Sequence, residues 1–150
     1  MAAETSLKGT LGQLEDVLNE YFGKKAPALP ANIKEILVKL APYLTILGVI
    51  LSVPAILGVL GMGVVPYGAA WMMGVGYRYY LGIAFMLVTV VLEALAIPGL
   101  LARKKQGWNW IYYSVLVNMV YMLVSFNIVG LLIGTLIGMY VLFQVRTYYK

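Results

Sequence analysis

Long apolar runs, separated by short polar or basic stretches, dominate the hydrophobic pattern of this chain. Four runs are long enough to cross about 30 Å of hydrocarbon at a helical rise of about 1.5 Å per residue. They predict membrane-spanning helices over residues 42–62, 80–102, 108–125 and 127–145. The last two spans meet at Ser125-Phe126-Asn127, which predicts a tight hairpin turn. A single helix over residues 108–145 is the alternative, but it would be excessively long for one crossing.

The pattern before the first span is that of an amphipathic helix over residues 5–22. Thr10 and Gln13 have the spacing of a capping box, so we expect the firm helix to begin near Thr10. The polar face is acidic, whereas helices that seek a membrane surface usually carry a basic one. We expect the helix to cover the transmembrane bundle or lie on the membrane; docking of a partner or a second copy is the alternative. Its apolar face is formed by Leu7, Leu11, Leu14, Leu18 and Tyr21.

A linker with two prolines, residues 26–30, follows this helix. Beyond it, Asn32 and Glu35 have the spacing of another helix cap, which predicts a short juxtamembrane helix. We expect Pro42 to turn the chain from this helix into the bilayer. The chain then divides into a cytoplasmic part, residues 1–31, and a membrane part, residues 32–150.

The segment between the first two spans, residues 63–79, is mostly apolar, rich in glycine and interrupted by Pro66. This composition predicts an outer loop that lies in the membrane interface, because tyrosine and tryptophan are typical interfacial anchors. A re-entrant segment that lines a cavity is the alternative. The candidate anchors are Tyr67, Trp71, Tyr77 and Tyr79.

The composition agrees with a membrane protein and argues against an enzyme. Of 150 residues, 62% are hydrophobic and only 11% are charged, and cysteine and histidine are both absent. Thiol nucleophiles, imidazole bases and the usual zinc ligands are therefore excluded. No phosphate-binding or nucleophile motif occurs, so we expect no cofactor. The net charge of +5 does not indicate nucleic acid, because the basic residues flank the apolar spans and form no continuous basic face.

The distribution of these basic residues predicts the orientation. With four spans, only Arg78 falls on one side of the membrane, and all the others near the spans fall on the opposite side. Under the positive-inside rule both termini are then cytoplasmic, in a multi-pass protein of the inner (plasma) membrane. The residues on the basic side are Lys24, Lys25, Lys34, Lys39, Arg103, Lys104, Lys105, Arg146 and Lys150.

Each predicted span carries a polar side chain near the same depth. Ser52, Glu93, Asn118 and Thr135 all lie about 15–17 Å from the inner boundary at helical rise, and Thr89 is one turn before Glu93. A polar group that faces lipid is left without partners, so we expect these residues to face other helices, with Glu93 protonated. The leading interpretation is a hydrogen-bonded layer that fixes helix register. The alternatives are a proton- or ion-carrying carboxylate in a transport path and an acid that faces a partner protein.

Small residues predict where helices pack closely. The fourth span carries Gly130, Gly134 and Gly138 at spacings of four, and the first span carries Gly48 and Gly58. Glycines at these spacings let helix backbones approach each other in a membrane. We expect packing between spans of one copy, with a seam between copies as the alternative.

Three segments, PALPANIKEI, SVPAILGVLG and LFQVRTYYK, resemble a group of small uncharacterised bacterial membrane proteins. The resemblance implies an N-terminal amphipathic stretch and four hydrophobic helices, and it supplies no activity or ligand. Taken together, the sequence predicts an all-α fold, an antiparallel bundle of four transmembrane helices preceded by an amphipathic and a juxtamembrane helix. The favoured function is a structural or accessory subunit that binds the lipid bilayer and another membrane protein or itself. The alternative is a small oligomeric transporter or channel in which Glu93 couples ions or protons.

Overall fold

The computed structural model describes residues 2–58 and 76–150, and its regular elements are all helical. A π-helical stretch, Asn19–Lys25, continues the first helix, and a short 3-10 helix, Arg146–Tyr148, follows the last one. By length and composition, α2, α3 and the stretch Ile128–Tyr148 could each cross a membrane. The α-helices are α1 (Ala2–Leu18), α2 (Ala31–Leu57), α3 (Gly76–Leu101), α4 (Lys105–Val124) and α5 (Ile128–Gln144).

The predicted break at Pro42 is wrong, because the juxtamembrane helix and the first span form one helix, α2. Helix α2 begins directly after Pro30, and Pro42 and Pro54 lie inside it. A proline interrupts one backbone hydrogen bond, and transmembrane helices tolerate this when neighbouring groups compensate. The hydroxyl of Thr45 bonds the Ala41 carbonyl at 2.8 Å within the turn that follows Pro42. The cap spacing of Asn32 and Glu35 therefore predicted the helix correctly, whereas the boundary predicted at Pro42 does not exist.

The second span also begins earlier than expected, at Gly76, so Tyr77 and Tyr79 belong to helix α3 rather than to a loop. The remainder of the predicted loop, residues 63–75 with Pro66, Tyr67 and Trp71, lies outside the described residues. Residues 59–62 of the first predicted span lie outside them as well.

The turn expected between the last two spans is present, so residues 108–145 do not form one helix. Phe126 has a φ of 55°, a left-handed conformation that reverses the chain. The side chain of Asn127 then caps α5 by accepting a hydrogen bond from the Gly130 amide at 3.0 Å. A side-chain oxygen at this position satisfies one of the free amides at a helix start.

Helices α2 to α5 pack in chain order, each mainly against the next, and the α3–α4 pair is the most extensive. The backbones of α3 and α4 meet at Gly99 and Gly107, where a Cβ added to Gly99 would lie 2.5 Å from the Gly107 Cα. The connecting loop is held by the chain terminus. The Lys105 amide donates to the Lys150 carbonyl at 2.9 Å, and the Lys150 amide donates to the Arg103 carbonyl at 3.0 Å.

Buried side chains concentrate at the end of the bundle that carries both termini, which we call the packed end. Trp108 is fully buried, stacks on Tyr112 and meets Phe143 edge-on, and its Nε1 donates to the Leu142 carbonyl at 2.8 Å. The opposite part, residues 45–57, 76–93, 115–124 and 128–135, we call the open half. The core of the packed end contains Val38, Ala96, Leu100, Trp108, Tyr112, Met139, Leu142, Phe143, Val145 and Tyr149.

The N-terminal segment is docked on the packed end through polar contacts. Glu15 accepts hydrogen bonds from Lys105 at 3.0 Å and from the Arg146 Nε at 3.1 Å. Gln144, which is buried, donates to the Phe22 carbonyl at 2.8 Å and accepts from the Leu29 amide at 3.1 Å. The predicted apolar stripe of this helix is divided. Leu11 and Leu18 are half-buried, whereas Leu7 and Tyr21 remain exposed.

Candidate functional site

A cavity of about 560 Å³ lies between α2, α3 and α4 in the open half. Its α2 wall consists of small residues, Gly48, Ser52 and Ala55, and these leave space that larger side chains would fill. Its α3 wall runs from Arg78 to Glu93, over about four turns. The cavity is therefore long, largely apolar and polar at a few defined points, which is the usual composition of a small-molecule or side-chain binding site.

A second, smaller cavity of about 170 Å³ lies on the other side of the same residues, between α3, α4 and α5. Thr89, Glu93 and Asn118 line both cavities, whereas Ser52 lines only the first and Thr135 only the second. The four side chains that the sequence predicted to share one depth, together with Thr89, thus lie around two adjoining spaces. The helices bring the five side chains close together, but the side chains lie on the walls of cavities rather than in contact with each other.

These polar groups do not form the hydrogen-bonded layer that we expected. The hydroxyl of Thr89 donates to the Phe85 carbonyl at 2.8 Å, and that of Ser52 donates to the Val49 carbonyl at 2.6 Å, so each bonds its own helix. The Thr135 hydroxyl oxygen is buried without a partner. Within residues 2–58 and 76–150, neither the Glu93 carboxyl nor the Asn118 amide forms a hydrogen bond or an ion pair.

The position of the Glu93 carboxyl follows from the small residue opposite it. A Cβ added to Gly48 of α2 would lie 3.9 Å from Glu93 Oε2, so the carboxyl faces the glycine across the cavity. Glu93 is half-buried, and Asn118 is exposed. A carboxyl and an amide that face a cavity in this way can be satisfied only by a group that enters it, and leaving them unpaired in an apolar setting costs free energy.

On the α3 wall both cavities end at Glu93, whereas the smaller cavity continues toward the packed end as far as Ser114 of α4 and Gly138 of α5. No α3 residue beyond Glu93 lines either of them, and the next turns carry Ala96 and Leu100, which are both buried. At the other end of the larger cavity, the Arg78 guanidinium donates to the Ser125 carbonyl at 2.8 Å. The larger cavity thus extends from Glu93 toward a cation, Arg78, near its other end.

The five glycines predicted as packing positions do not mark close helix contacts among the described residues. A Cβ added to Gly58 or Gly138 would meet no other atom within 4 Å, and one on Gly134 would meet only the Met122 Cε at 3.7 Å. Gly130 contacts its own helix cap, Asn127, and Gly48 faces Glu93. The close approach of helix backbones occurs instead between Gly99 of α3 and Gly107 of α4. The available signal in the sequence was the presence of one glycine on each side of the basic loop.

Three further residues with evident roles were missed by the sequence analysis. Arg78 lines the cavity, and the available signal was its isolation in the sequence from the other basic residues near the predicted spans. Gln144 holds the linker, and its signal was an amide inside an apolar run near the membrane boundary. Tyr121 lines the cavity and packs against Phe85, with ring centroids 5.6 Å apart, and nothing in the local sequence distinguishes it from other tyrosines.

The chemistry of the lining residues is suited to binding. Among the described residues, no group of three or more His, Cys, Asp or Glu side chains could hold a metal ion. One carboxyl, one amide and several hydroxyls on an apolar wall form a receptor for a hydrogen-bond donor or a cation. In comparisons with known proteins, no family model, no curated protein and no solved structure matches this chain.

Proposed function

We propose that this chain is a small, non-enzymatic accessory protein of the inner (plasma) membrane. Its cavity around Glu93 receives a hydrogen-bond-donating or cationic side chain from a transmembrane helix of a partner protein. The observation that carries the proposal is the pair of unsatisfied groups, the Glu93 carboxyl and the Asn118 amide, on the wall of a cavity of about 560 Å³. A complementary donor would offset the cost of keeping these groups in a membrane interior.

The proposal includes four membrane crossings, with α4 as the third. Helix α4 has 20 residues, so its length is about 30 Å, which is sufficient for one crossing. It packs along α3, and turns of a few residues join it to α3 and α5. A helix held between two membrane-spanning neighbours in this way lies in the same hydrocarbon layer. Its tryptophan, tyrosine and asparagine residues lower its hydropathy without preventing the crossing.

The charge distribution supports cytoplasmic termini. Four basic residues lie together at the packed end, where the N-terminal segment also docks. They are Arg103, Lys105, Arg146 and Lys150. Arg78 lies beside the turn at Ser125, at the opposite end. Under the positive-inside rule the packed end faces the cytoplasm, and the larger cavity lies in the outer part of the membrane.

The side of the cavity formed by α2 suits an incoming helix. Gly48, Ser52 and Ala55 recur at spacings of four and three, so they lie on one face of α2. A face of small residues lets a second backbone approach closely, and the partner's donor can then reach Glu93.

Transport with Glu93 as the coupling residue is the second candidate. The specific observation in its favour is that the cavity reaches Glu93 from the side of Arg78 and stops there, as expected of a transport site that is accessible from one side. Proteoliposome flux of protons and monovalent cations tests it. The transport candidate is abandoned if Glu93→Gln leaves the flux unchanged.

Photo-crosslinking in cells of the source organism tests the accessory function. A photoreactive amino acid at position 52 lies on the cavity wall, whereas one at position 50 lies on the lipid-exposed face of α2 and serves as the matched control. We expect a discrete adduct from position 52 alone, reduced about 5- to 100-fold by Glu93→Leu because one side of a buried polar pair is lost. Equal adducts from both positions, or an adduct that Glu93→Leu does not affect, would refute the proposal.

A further inference from the structure

A separate cavity of about 310 Å³ lies within the packed end, enclosed by residues of α2, α3, α4, α5 and the C-terminal segment. Its wall is almost wholly apolar, and typical lining residues are Leu37, Leu44, Ile111 and Val141. The volume is at the lower end of the range of about 300–1,000 Å³ for ligand pockets. Because Leu44 lines the cavity and is also exposed on the outside of the bundle, the cavity opens sideways, toward the hydrocarbon of the membrane.

One polar group on this wall lacks a partner. Tyr149 lines the cavity and is only 4% exposed, and its hydroxyl forms no hydrogen bond with any described residue. Burial raises the pKa of Tyr149, so the hydroxyl keeps its proton and can donate it to an acceptor; the nearby Arg103 guanidinium acts on the pKa in the opposite direction. Arg103 does not line the cavity, but its backbone carbonyl accepts a hydrogen bond from the Lys150 amide, next to Tyr149, and its charge acts on the Tyr149 hydroxyl. The same guanidinium is partly exposed and is paired with Glu35 of α2 at 2.8 Å.

Water is a poor occupant for this cavity. A buried water molecule needs about two to four polar partners, and the lining offers one free hydroxyl. An aliphatic chain satisfies the apolar wall, and an oxygen acceptor at the end of the chain satisfies the hydroxyl. A negative charge on that acceptor is further stabilised by Arg103.

We propose that this cavity binds one acyl chain of an anionic amphiphile, with the chain against the α2 and α5 walls and the anionic head near Tyr149 and Arg103. The ligand is a free fatty acid or an anionic phospholipid of the cytoplasmic leaflet. This site is independent of Glu93, which does not line the cavity.

Fluorescence quenching at Trp108 provides a direct test, because Trp108 lines the cavity and is fully buried. In a Trp71→Phe, Trp110→Phe background it is the only tryptophan left. The full chain in detergent is titrated with a dibrominated fatty acid, dibrominated phosphatidylglycerol or dibrominated phosphatidylcholine. We expect saturable quenching by at least one of the two anionic probes, and the comparison between them identifies the source of the chain. Zwitterionic phosphatidylcholine should require at least about tenfold higher concentration, because it lacks the net negative charge.

Two variants decide whether the quenching comes from the cavity. Gly138 lies on the wall that this cavity shares with the smaller cavity around Glu93, and a Cβ added there meets no atom within 4 Å. We expect Gly138→Leu to fill this space and to abolish the saturable component, whereas Tyr149→Phe acts on the packed-end cavity alone. Gly58→Leu is the matched control, because its Cβ is equally free and it does not line the cavity. Tyr149→Phe keeps the ring and removes the donor, so we expect about 2- to 12-fold weaker binding of the anionic probe.

Three outcomes would overturn this inference: quenching that does not saturate, equal quenching by phosphatidylcholine, or binding that neither Gly138→Leu nor Tyr149→Phe weakens. If Gly138→Leu fails to fold by circular dichroism, Tyr149→Phe carries the test alone. Glu93→Leu should leave the quenching unchanged, so the failure of this inference and the failure of the proposed accessory function are distinguishable.

Discussion

The two ends of the bundle differ in the bonding of their carboxyl groups, although the packed end also holds an unpaired polar group, the Tyr149 hydroxyl. At the packed end, Gln144 makes two hydrogen bonds, and Glu15 bonds both Lys105 and Arg146. In the open half, Glu93 and Asn118 face cavities without a partner among the described residues. Glu15 and Gln144 stabilise the fold, whereas Glu93 and Asn118 are left available to bind another group. The contrast teaches that a buried acid has to be judged by its hydrogen-bond partners rather than by its depth.

The largest expected effect is at the packed end, at Trp108. Its replacement by alanine removes a fully buried ring, its stacking on Tyr112 and its hydrogen bond to the Leu142 carbonyl. We expect Trp108→Ala to lower the free energy of unfolding by about 3–5 kcal/mol. Denaturation in mixed micelles measures it. A loss below about 1 kcal/mol would mean that this end is not the source of stability.

A smaller loss is expected at the backbone contact between α3 and α4. A Cβ on Gly107 would overlap the backbone of Gly99, so Gly107→Ala forces the helices apart at an expected cost of about 1–3 kcal/mol. Gly58→Ala, where the Cβ meets no atom within 4 Å, is the control and should be close to neutral. The same denaturation assay compares them. Equal stabilities would remove the distinction between a packed and an open region.

The docking of α1 should depend on pH through Glu15. Partial burial alone would raise the pKa of this carboxyl, but hydrogen bonds and charges from Arg146 and Lys105 hold it below its usual value of 4.5. The stabilisation is therefore fully present above about pH 4.5 and is lost as the pH falls through the lowered pKa. Amide exchange in α1 measures it. Glu15→Gln should lower the protection of the α1 amides, measured relative to their intrinsic exchange rate, by about 2- to 5-fold at pH 7, and the further loss of protection with acid should vanish in that variant.

The smallest effect, and one of opposite sign, is expected at Glu93. Replacing an unpaired carboxyl by an apolar side chain of similar size removes a desolvation cost, so Glu93→Leu should raise the free energy of unfolding of the isolated chain by up to about 1 kcal/mol. The denaturation assay used for Trp108→Ala measures it. A loss of more than about 1 kcal/mol would show that Glu93 is a structural residue and would erase the contrast between the two ends.

Helix identity followed from the sequence wherever the apolar runs were long. The prediction of the turn at Ser125–Asn127 is confirmed, because Asn127 is an ordinary helix cap and a local signal suffices. The expected turn at Pro42 failed, because a proline inside a membrane helix is tolerated when neighbouring groups compensate. Such compensation comes from the tertiary environment, which single-sequence rules do not contain.

The sequence predicted which side chains line the candidate site but not which hydrogen bonds they form. The common depth of Ser52, Glu93, Asn118 and Thr135 follows from helical rise, and all four side chains line the two adjoining cavities. Whether Glu93 and Asn118 would meet depends on the separation of α3 and α4 at that level. Helix separation depends on contacts such as Gly99–Gly107, and the local sequence around either polar residue does not show which residues of the two helices meet.

The two hydrogen bonds of Gln144 have a consequence for biosynthesis. Gln144 is the last residue of α5, and it binds the backbone at Phe22 and Leu29, more than a hundred positions earlier in translation. The ribosome releases the N-terminal segment long before the side chain that retains it has been made. Until the final helix has been made and packed, the nascent N-terminal segment lacks these two hydrogen bonds, so its protection from cleavage is a direct readout of completed assembly.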